Sequence, residues 1–539
     1  MLAGVPAWWA TRAAAAGLTG RWLDVDWAVA ADIPETVGHD VEPVDLLGLS
    51  GYEVGETYTA SLNPVERARH GRHYTPESLS DELWAMAKRG LGWKRPQPLP
   101  GLVRDPACGA GALLVPVLRD HLAAAARVDA RLALAGLSNH IEGVDNDESA
   151  VWLANVLLAA EMLPVLARTH HARTRPLPAL VRHGDGLAAT DNPALVTIIN
   201  PPYGRVKLTV EERSRFADVL YGHANLYGLF MAAGVRTLES GGVLAALVPT
   251  SFLAGRYFEN LRTMLADVAP LSEVEFVANR SGSFQGVLQE TCLATFVRRR
   301  IRRTTVGTIN GGRTEIARVA TPRVSSPWLL PRRSDDAVVA AAAIEMPLRL
   351  VDAGWRVSTG PLVWNRRKAD LGPVETPGSA PVLWAADIDG GVVHRDRARD
   401  GVRYLRLYGN DENVMILREP GILVQRTTAP EQIRRLVSAP LTTVVLREWG
   451  GRIVMENHVN VLRPTEHMNP LIDASTLSRL LATDTVDRVL RCLSGSVAVS
   501  AYELESLPLP SAELLARWAT LDGQAFDRAV ATAYRPAQQ

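Results

Sequence analysis

The region from residue 101 to about residue 300 alternates short β-rich runs with stretches rich in Ala and Leu. Strands that alternate with helices predict an α/β fold built on a doubly wound, mostly parallel sheet. The predicted strands are residues 101–104, 140–144, 179–183, 196–199, 243–248, 274–278 and 291–297. The predicted helices are residues 112–122, 150–162, 226–238 and 260–266. Because a loop without a helix joins the last two strands, we expect them to form an antiparallel hairpin at one edge of the sheet.

The chain has 539 residues, which is too long for one ordinary core, so we expect several domains. We predict a mainly helical segment at 1–70, the α/β domain at 71–305 and a mixed α+β domain at 306–539. The boundary after the α/β domain falls in a stretch rich in Gly, Thr and Arg. Beyond it, residues 355–364, 421–426 and 442–447 have strand patterns, and residues 475–509 have a largely helical pattern.

The composition favours a cytoplasmic location. Cys108, Cys292 and Cys492 are scattered, so they predict neither a disulfide framework nor a metal-binding pair. We find no signal peptide and no apolar run long enough to span a bilayer, and we expect no membrane partner. The formal net charge is zero. This does not exclude a nucleic-acid-binding protein, because such binding needs only a local basic patch.

A glycine-rich turn follows the first predicted strand, in the sequence DPACGAGALL from Asp105 to Leu114. Gly109 and Gly111 allow the backbone to turn tightly and to approach a ligand closely. Asp105, at the strand end, can accept hydrogen bonds from a ligand ammonium group. The spacing is not that of a dinucleotide fingerprint or a P-loop, and an acid at this position disfavours a phosphate ligand. A simple strand-to-helix turn remains the alternative.

Acidic residues also follow the next two strands. In GVDND, Asp145 suits two ribose hydroxyls, and Asp147 is the competing candidate for that role. Asp147 is also well placed to cap the helix that begins near Ser149. In HGDG, Asp185 can accept a hydrogen bond from an adenine amino group, or it is only a turn residue beside Gly186.

The fourth motif is Asn200-Pro201-Pro202-Tyr203, after the apolar strand VTII. Two prolines remove two backbone donors and stiffen the turn. The side-chain oxygen of Asn200 and the carbonyl of Pro201 then form a rigid pair of acceptors, and Tyr203 adds a flat stacking surface. Two acceptors beside a stacking ring suit a planar amino group, and a buried site of this kind rejects substrates that lack the NH2 group.

In this order, DPACGAG, GVDND, HGDG and NPPY resemble the gamma-class adenine-N6 DNA methyltransferases, the modification enzymes of type II restriction–modification systems. The resemblance is close over about residues 71–300. It extends more loosely through ENHVNVL and ELESLPLP, which look like target-recognition domains. It implies the class I S-adenosylmethionine-dependent methyltransferase fold at 71–305 and a target-recognition domain at 306–539. It further implies S-adenosylmethionine as cofactor, no metal, double-stranded DNA as substrate, a cognate restriction endonuclease in the same system, and a monomer.

The resemblance also assigns roles to individual residues. The sequence RHYTP, residues 72–76, matches an upstream family motif, so Thr75 is expected to contact the methionine part of the cofactor. Phe284 matches the aromatic that holds the flipped base, although a core phenylalanine is the alternative. The implied catalytic residues are Asn200, Pro201, Pro202, Tyr203 and Phe284. The implied cofactor-binding residues are Thr75, Asp105, Ala107, Gly109, Gly111, Asp145, Asp185 and Gly186. Gly186 departs from the family, in which an apolar residue often follows the third acid.

Three alternative functions remain. The modification subunit of a type I system shares these motifs but usually has a longer N-terminal helical domain. Glutamine methyltransferases acting on release factors use NPPY but are much shorter. A non-catalytic DNA-binding protein would not need the intact motifs. We expect sequence choice to reside after about residue 306, where the candidate base-reading residues are Arg366, Arg367, Lys368, Gln425, Arg426, Gln432, Arg434 and Arg435. A dimerisation or partner-docking domain is the alternative for this region.

Overall fold

The protein is described from a computed structural model. The structure describes residues 1–34, 44–63, 74–127, 129–278, 290–323, 325–428, 432–466, 468–493 and 498–535. The chain divides into two compact units. The first comprises Met1–Pro249 and Tyr257–Ser325, and the second comprises Thr250–Arg256 and Ser326–Gln539.

A nine-stranded sheet forms the centre of the first unit, in the order β11-β10-β8-β9-β7-β4-β1-β2-β3. Its strands are β1 (Val103–Asp105), β2 (Ile141–Asp145), β3 (Val181–His183), β4 (Ala194–Ile199), β7 (Leu238–Pro249), β8 (Leu271–Val277), β9 (Thr291–Val297), β10 (Arg303–Ile309) and β11 (Arg313–Ala320). Two short strands, β5 (Arg205–Val206) and β6 (Ala224–Asn225), pair separately. Five adjacent strands of the large sheet run parallel, in the order β7-β4-β1-β2-β3. The predicted fold class, that of the class I methyltransferases, is confirmed.

The antiparallel part of the sheet is larger than the sequence indicated. β8 and β9 pair antiparallel as expected, but β9 lies between β7 and β8, and β10 adds in parallel on the far side of β8. β10 and β11 form the hairpin at the edge. The first unit therefore extends to Ser325 instead of ending at residue 305, because the stretch taken as a linker supplies two more strands.

Helices cover this sheet. The α-helices of the first unit are Val5–Ala15, Val25–Ala28, Gly51–Ser61, Glu77–Leu91, Leu114–Ala125, Ala130–Leu134, Glu148–Leu166, Val210–Arg215, Leu226–Arg236 and Glu259–Val268. The N-terminal helices are not a separate body, because Trp8, Trp9 and Trp22 are buried in the same core as the sheet strands. Helix Glu77–Leu91 ends at Gly92, whose φ of 75° is a left-handed conformation that favours glycine.

One helix corrects an expectation from the sequence. Glu148–Leu166 has 19 residues and is long and apolar enough to cross a membrane, whereas the sequence predicts no such run. Within the fold, 78% of its apolar window is buried, as in the core helix of a globular domain. Asn155 on this helix hydrogen-bonds the backbone of Leu180 and Val181, which fixes the helix against β3.

The second unit is α+β, as predicted. Its strands are β12 (Leu348–Arg349), β13 (Trp355–Thr359), β14 (Leu371–Gly372), β15 (Ser379–Leu383), β16 (Ile388–Asp389), β17 (Val392–Val393), β18 (Tyr404–Arg406), β19 (Ile416–Leu417), β20 (Gly421–Gln425), β21 (Ser438–Leu441), β22 (Ile453–Met455), β23 (Val459–Pro464) and β24 (Pro508–Leu509). Its α-helices are Asp336–Ile344, Asp411–Met415, Thr443–Glu448, Ala474–Leu481, Asp484–Leu493, Ala501–Glu505, Ala512–Trp518 and Gly523–Ala533. The larger sheets have the orders β13-β23-β20-β21 and β14-β18-β15-β22-β19.

Two strand predictions in this unit need correction. Residues 442–447 form a helix instead of a strand, because the Thr442 hydroxyl accepts a hydrogen bond from the Val445 amide and caps Thr443–Glu448. The strand predicted at 355–364 ends at Thr359. Gly360 follows it, where an added Cβ would lie 2.1 Å from the Glu456 carbonyl oxygen, so only glycine fits this close approach.

Candidate active site

The acidic motifs meet at the carboxyl edge of the sheet. Asp105 is opposite Gly143 in the pairing of β1 with β2, and Asp145 is opposite His183 in the pairing of β2 with β3. Asp185 follows the end of β3 by two residues. Three consecutive strands of the sheet thus end in carboxylates on the same side, where open α/β sheets bind ligands.

The glycine-rich turn is held by two of these carboxylates. Asp105 accepts a hydrogen bond from the Ala107 amide at 3.1 Å, and Asp145 accepts one from the Gly109 amide at 2.8 Å. Gly109 and Gly111 have φ values of 51° and 84°. An added Cβ on Gly109 would meet nothing within 4 Å, whereas one on Gly111 would lie 3.4 Å from Ala154. Gly109 therefore leaves room for a ligand to approach the backbone, and Gly111 serves packing against helix Glu148–Leu166.

Asp105 is almost fully buried. Burial raises the pKa of its carboxyl to about 8, and the neighbouring Asp145 carboxylate adds to this rise, although the hydrogen bond from Ala107 opposes it. Burial and the same two acids also raise the pKa of the Cys108 thiol. Cys108 is thus a packing residue and not a nucleophile. A buried acid of this kind is stabilised in its charged form by a cationic ligand.

Asp147 caps helix Glu148–Leu166, which is one of its two predicted roles. One carboxylate oxygen accepts from the Ser149 and Ala150 amides at 3.1 and 3.3 Å. The other accepts from the Tyr58 hydroxyl at 2.9 Å. The Asp147 amide in turn donates to Asp145 at 3.0 Å.

Asp185 is exposed and lies in a turn with the half-buried Gly186. The Asp185 carboxylate accepts from the Leu187 amide at 2.9 Å, which is the turn role predicted as the alternative to ligand binding. An added Cβ on Gly186 would lie 1.6 Å from the Pro106 carbonyl oxygen and 3.1 Å from the ring of Phe230. The departure from the family at this position therefore has a steric cause. Sequence reasoning missed Phe230, whose only signal was its place in the family-like segment ANLYGLF.

The Asn200 side chain is fixed at both ends. Its amide nitrogen donates to the Thr75 hydroxyl at 2.8 Å, and its amide oxygen accepts from the Tyr203 hydroxyl at 2.9 Å. The same hydroxyl lies 3.3 Å from the Leu247 carbonyl oxygen. Thr75 is buried. The structure thus brings Thr75, which the resemblance placed in the cofactor site, into direct contact with the NPPY motif.

The Tyr203 ring is supported from one side. It packs edge-on against Tyr227 with ring centroids 6.2 Å apart, and Tyr227 stacks on Phe258 at 5.0 Å. Burial raises the pKa of the Tyr203 hydroxyl, so this group stays protonated and remains a donor. Pro201 is buried, whereas Pro202 and Tyr203 are partly exposed. The loop therefore combines an anchored aromatic ring with a fixed acceptor.

Some predicted residues lie outside the described part of the chain. These are Phe284, and Arg72 and His73 of the upstream motif. Within the described ranges, no group of three or more His, Cys, Asp or Glu side chains could hold a metal ion.

Most candidate base-reading residues of the second unit make contacts within that unit. Gln425 donates to the carbonyl oxygens of Ala385 and Ile388 at 2.9 and 2.8 Å. Arg434 pairs with Asp484 at 2.7 Å and also donates to backbone carbonyls. Further internal contacts are made by Arg367 with Asp370 and Asp411, by Arg426 with the Asn457 carbonyl, and by the buried Arg435 through its amide with Asp487. Arg366, Lys368 and Gln432 are exposed.

The first unit fits S-adenosylmethionine. Its buried carboxylate at Asp105 suits a cationic ligand, the carboxylate of Asp145 suits hydroxyl groups, and the open space at Gly109 permits close approach. The same acids would repel a phosphate group. The residues present therefore match a cationic nucleoside better than a nucleotide.

Comparisons with known proteins find methyltransferases of restriction-modification systems. The family Eco57I restriction-modification methylase matches residues 196–281, which include the NPPY motif. The type II methyltransferase M.PstI of Providencia stuartii is 25% identical over 332 residues, covering 59% of this chain and 65% of the relative. The type II methyltransferase M.BsuBI of Bacillus subtilis is 22% identical over 329 residues, with the same coverage of 59% and 65%. The chain thus spans about 65% of the length of these two relatives.

A solved structure extends the likeness over most of the chain. The type IIL restriction-modification enzyme MmeI, solved in complex with DNA, aligns with a TM-score of 0.50 and 12% identity. The alignment covers 90% of this chain and 77% of MmeI, and at this identity it shows a shared fold only. The family match and the two relatives agree with the resemblance found in the sequence: this chain is similar to the type II restriction-modification methyltransferases.

Proposed function

We propose that the protein is a site-specific DNA methyltransferase that transfers a methyl group from S-adenosylmethionine to N6 of adenine in duplex DNA. The observation that carries the proposal is the Asn200 side chain, oriented by Thr75 at 2.8 Å and by Tyr203 at 2.9 Å. It stands at the end of β4, beside the strand that carries Asp105. The relatives named type II methyltransferases support the same reaction class.

The cofactor would occupy the edge formed by β1, β2 and β3. Asp105 and Thr75 would hold its amino-acid part, Asp145 its ribose hydroxyls, and Asp185 its adenine amino group. The Gly109–Gly111 turn would follow its contour, and Phe230 beside Gly186 would offer an apolar ring to the adenine. S-adenosylmethionine supplies a methyl group on a positively charged sulfur.

The target adenine must leave the helix, because its N6 atom is inaccessible inside a base pair. The Asn200 amide oxygen and the Pro201 carbonyl would accept the two N6 hydrogens. The Tyr203 hydroxyl would shift from Asn200 toward the Leu247 carbonyl, which already lies 3.3 Å away. Acceptors fixed before the base arrives favour a more nucleophilic nitrogen and need no rearrangement of their own. The rings of Tyr203 and Phe284 would clamp the base.

The second unit would bind the DNA duplex and select the sequence. The likeness to MmeI, which was solved on DNA, covers 90% of this chain and so includes most of this unit. The relatives belong to type II systems, which supports a single chain that protects host DNA in the cytoplasm from a cognate endonuclease. We propose that it acts as a monomer and without a metal.

Transfer of a labelled methyl group tests the proposal. The purified chain is incubated with methyl-labelled S-adenosylmethionine and unmethylated duplex DNA, with no other subunit added. We expect label in the DNA and none in protein. Transfer to an added release factor instead of DNA would contradict the proposal in favour of a glutamine methyltransferase. Transfer to DNA only after a separate specificity subunit is supplied would favour a type I subunit.

A further inference from the structure

Helix Gly51–Ser61 contacts three of the predicted cofactor motifs, the glycine-rich loop, GVDND and the upstream RHYTP, although its sequence belongs to none of them. Tyr58 donates to Asp147 at 2.9 Å, and Tyr52 donates to the Ala112 carbonyl oxygen of the glycine-rich loop at 3.1 Å. Both tyrosines are buried. Two tyrosines about 1.7 helix turns apart thus donate to different cofactor motifs.

The contact of Tyr58 leads directly to Asp145. Asp147, which accepts from the Tyr58 hydroxyl, donates its own amide to Asp145 at 3.0 Å. Asp145 then accepts from the Gly109 amide at 2.8 Å. The hydroxyl of Tyr58 is thus the first link of a hydrogen-bonded chain that ends in the glycine-rich turn.

A second connection starts at Gly55. This glycine is buried, and an added Cβ would lie 2.5–2.7 Å from three ring and hydroxyl atoms of Tyr74. Tyr74 also packs edge-on against Tyr52 with ring centroids 6.2 Å apart. The next residue, Thr75, accepts the hydrogen bond from Asn200. The absence of a side chain at Gly55 therefore allows the ring position that places Thr75.

We infer that helix Gly51–Ser61 forms one side of the cofactor site. Tyr58 and Gly55 are positioning residues, which orient the residues that bind S-adenosylmethionine. Tyr58 acts through Asp147 on Asp145 and the turn at Gly109. Gly55 acts through Tyr74 on Thr75 and Asn200. The inference rests on the proposed cofactor, and it gives the N-terminal segment a role in cofactor affinity.

Binding of S-adenosylmethionine to the full chain without DNA tests the inference, by isothermal titration calorimetry. We expect Tyr58→Phe to raise the Kd about fivefold to tenfold, because one hydrogen bond to a charged group is lost and its effect is transmitted through Asp147. We expect Gly55→Ala to raise the Kd by more than about tenfold, because its Cβ overlaps Tyr74. In steady-state assays Tyr58→Phe should raise the KM for the cofactor and leave kcat within about twofold.

Two matched controls separate positioning from general stability. Gly51→Ala makes the same change in the same helix, but its Cβ meets only Leu157 at 3.9 Å, so the Kd should not change. Tyr534→Phe removes a buried hydroxyl that donates to the Pro508 carbonyl in the second unit, so it should lower the melting temperature without changing the Kd.

The outcomes are distinguishable. Wild-type affinity in both Tyr58→Phe and Gly55→Ala would overturn the inference while leaving the proposed function intact. If Gly55→Ala does not fold, Tyr58→Phe decides alone. If the unaltered chain does not bind S-adenosylmethionine, the proposed function fails, and this inference fails with it.

Discussion

The two compact units differ in how their polar residues are used. In the first unit, Asp105, Asp145 and Asn200 stand at strand ends and are held by backbone amides or by neighbouring side chains. In the second unit, Gln425 and Arg434, selected as base readers, hold their own unit together instead. A motif at a strand end predicts a site because strand and turn fix its place locally. Residue type alone, without a local motif, does not predict a site.

The first test concerns the strand-end motif with the largest expected effect. Asn200→Ala should lower the rate of methyl transfer by about a hundredfold or more, because the acceptor for the amino group is lost. Its affinity for S-adenosylmethionine should change far less. Rates are measured with labelled cofactor, and the exposed residue Asn192 supplies the control Asn192→Ala. Near-normal turnover by Asn200→Ala would contradict the catalytic role assigned to Asn200.

The second test addresses the acid that holds the turn. Asp145→Ala should raise the Kd for S-adenosylmethionine by at least about tenfold, since hydrogen bonds to a charged group contribute about 1.5–3 kcal/mol each and Asp145 would make two with the ribose. Both carboxylate oxygens also accept backbone amides, so the glycine-rich turn should loosen as well. Calorimetry with the exposed Asp191→Ala as control measures the change. An unaltered Kd would shift the ribose role to Asp147.

Much of the first unit could be predicted from the sequence because its signals are short-range. All seven predicted strands overlap observed strands. The hairpin of β10 and β11 was not predicted, because its sequence is rich in Arg and Thr and resembles a linker. Only the pairing of β10 with β8 shows that the hairpin belongs to the sheet. The roles of Phe230 and Tyr58 were not predicted, because they depend on packing between elements that are far apart in the chain.

The third test uses pH. Burial and Asp145 raise the pKa of Asp105 to about 8, from 3.8 in an unperturbed carboxyl. Between these values Asp105 is protonated in the folded protein and ionised in the unfolded chain, so its contribution to folding stability falls as pH rises through this window. A cationic ligand favours the ionised form, so cofactor binding should release a proton below pH 8.

The proton release has a direct readout. Affinity for S-adenosylmethionine should increase with pH up to about pH 8, by at most about tenfold per pH unit. Asp145 and the Cys108 thiol are the titratable neighbours of Asp105. Calorimetry in buffers of different ionisation enthalpy counts the protons, and Asp105→Asn should abolish the dependence. If the variant keeps the same pH profile, another group is responsible.

The smallest expected effects sharpen the contrast with the second unit. Arg434→Ala should lower stability by about 1–2 kcal/mol, because it loses Asp484 and backbone carbonyls, while its DNA affinity changes little once folded. Arg366→Ala should leave the melting temperature unchanged and weaken DNA binding, reducing the salt slope by about one. Thermal melts and binding titrations at several salt concentrations check both. If Arg434→Ala instead weakens DNA binding and leaves the melting temperature unchanged, Arg434 contacts DNA.

The identity of the methylated nucleoside tests the central claim most directly. DNA from a host that lacks the modification is incubated with the purified chain and S-adenosylmethionine, then digested to nucleosides and analysed by mass spectrometry. The proposed function predicts N6-methyladenine, confined to one short sequence when the methylated positions are mapped. N4-methylcytosine would keep the amino-group chemistry but contradict the proposed base, whereas 5-methylcytosine or unmodified DNA would contradict the role assigned to Asn200.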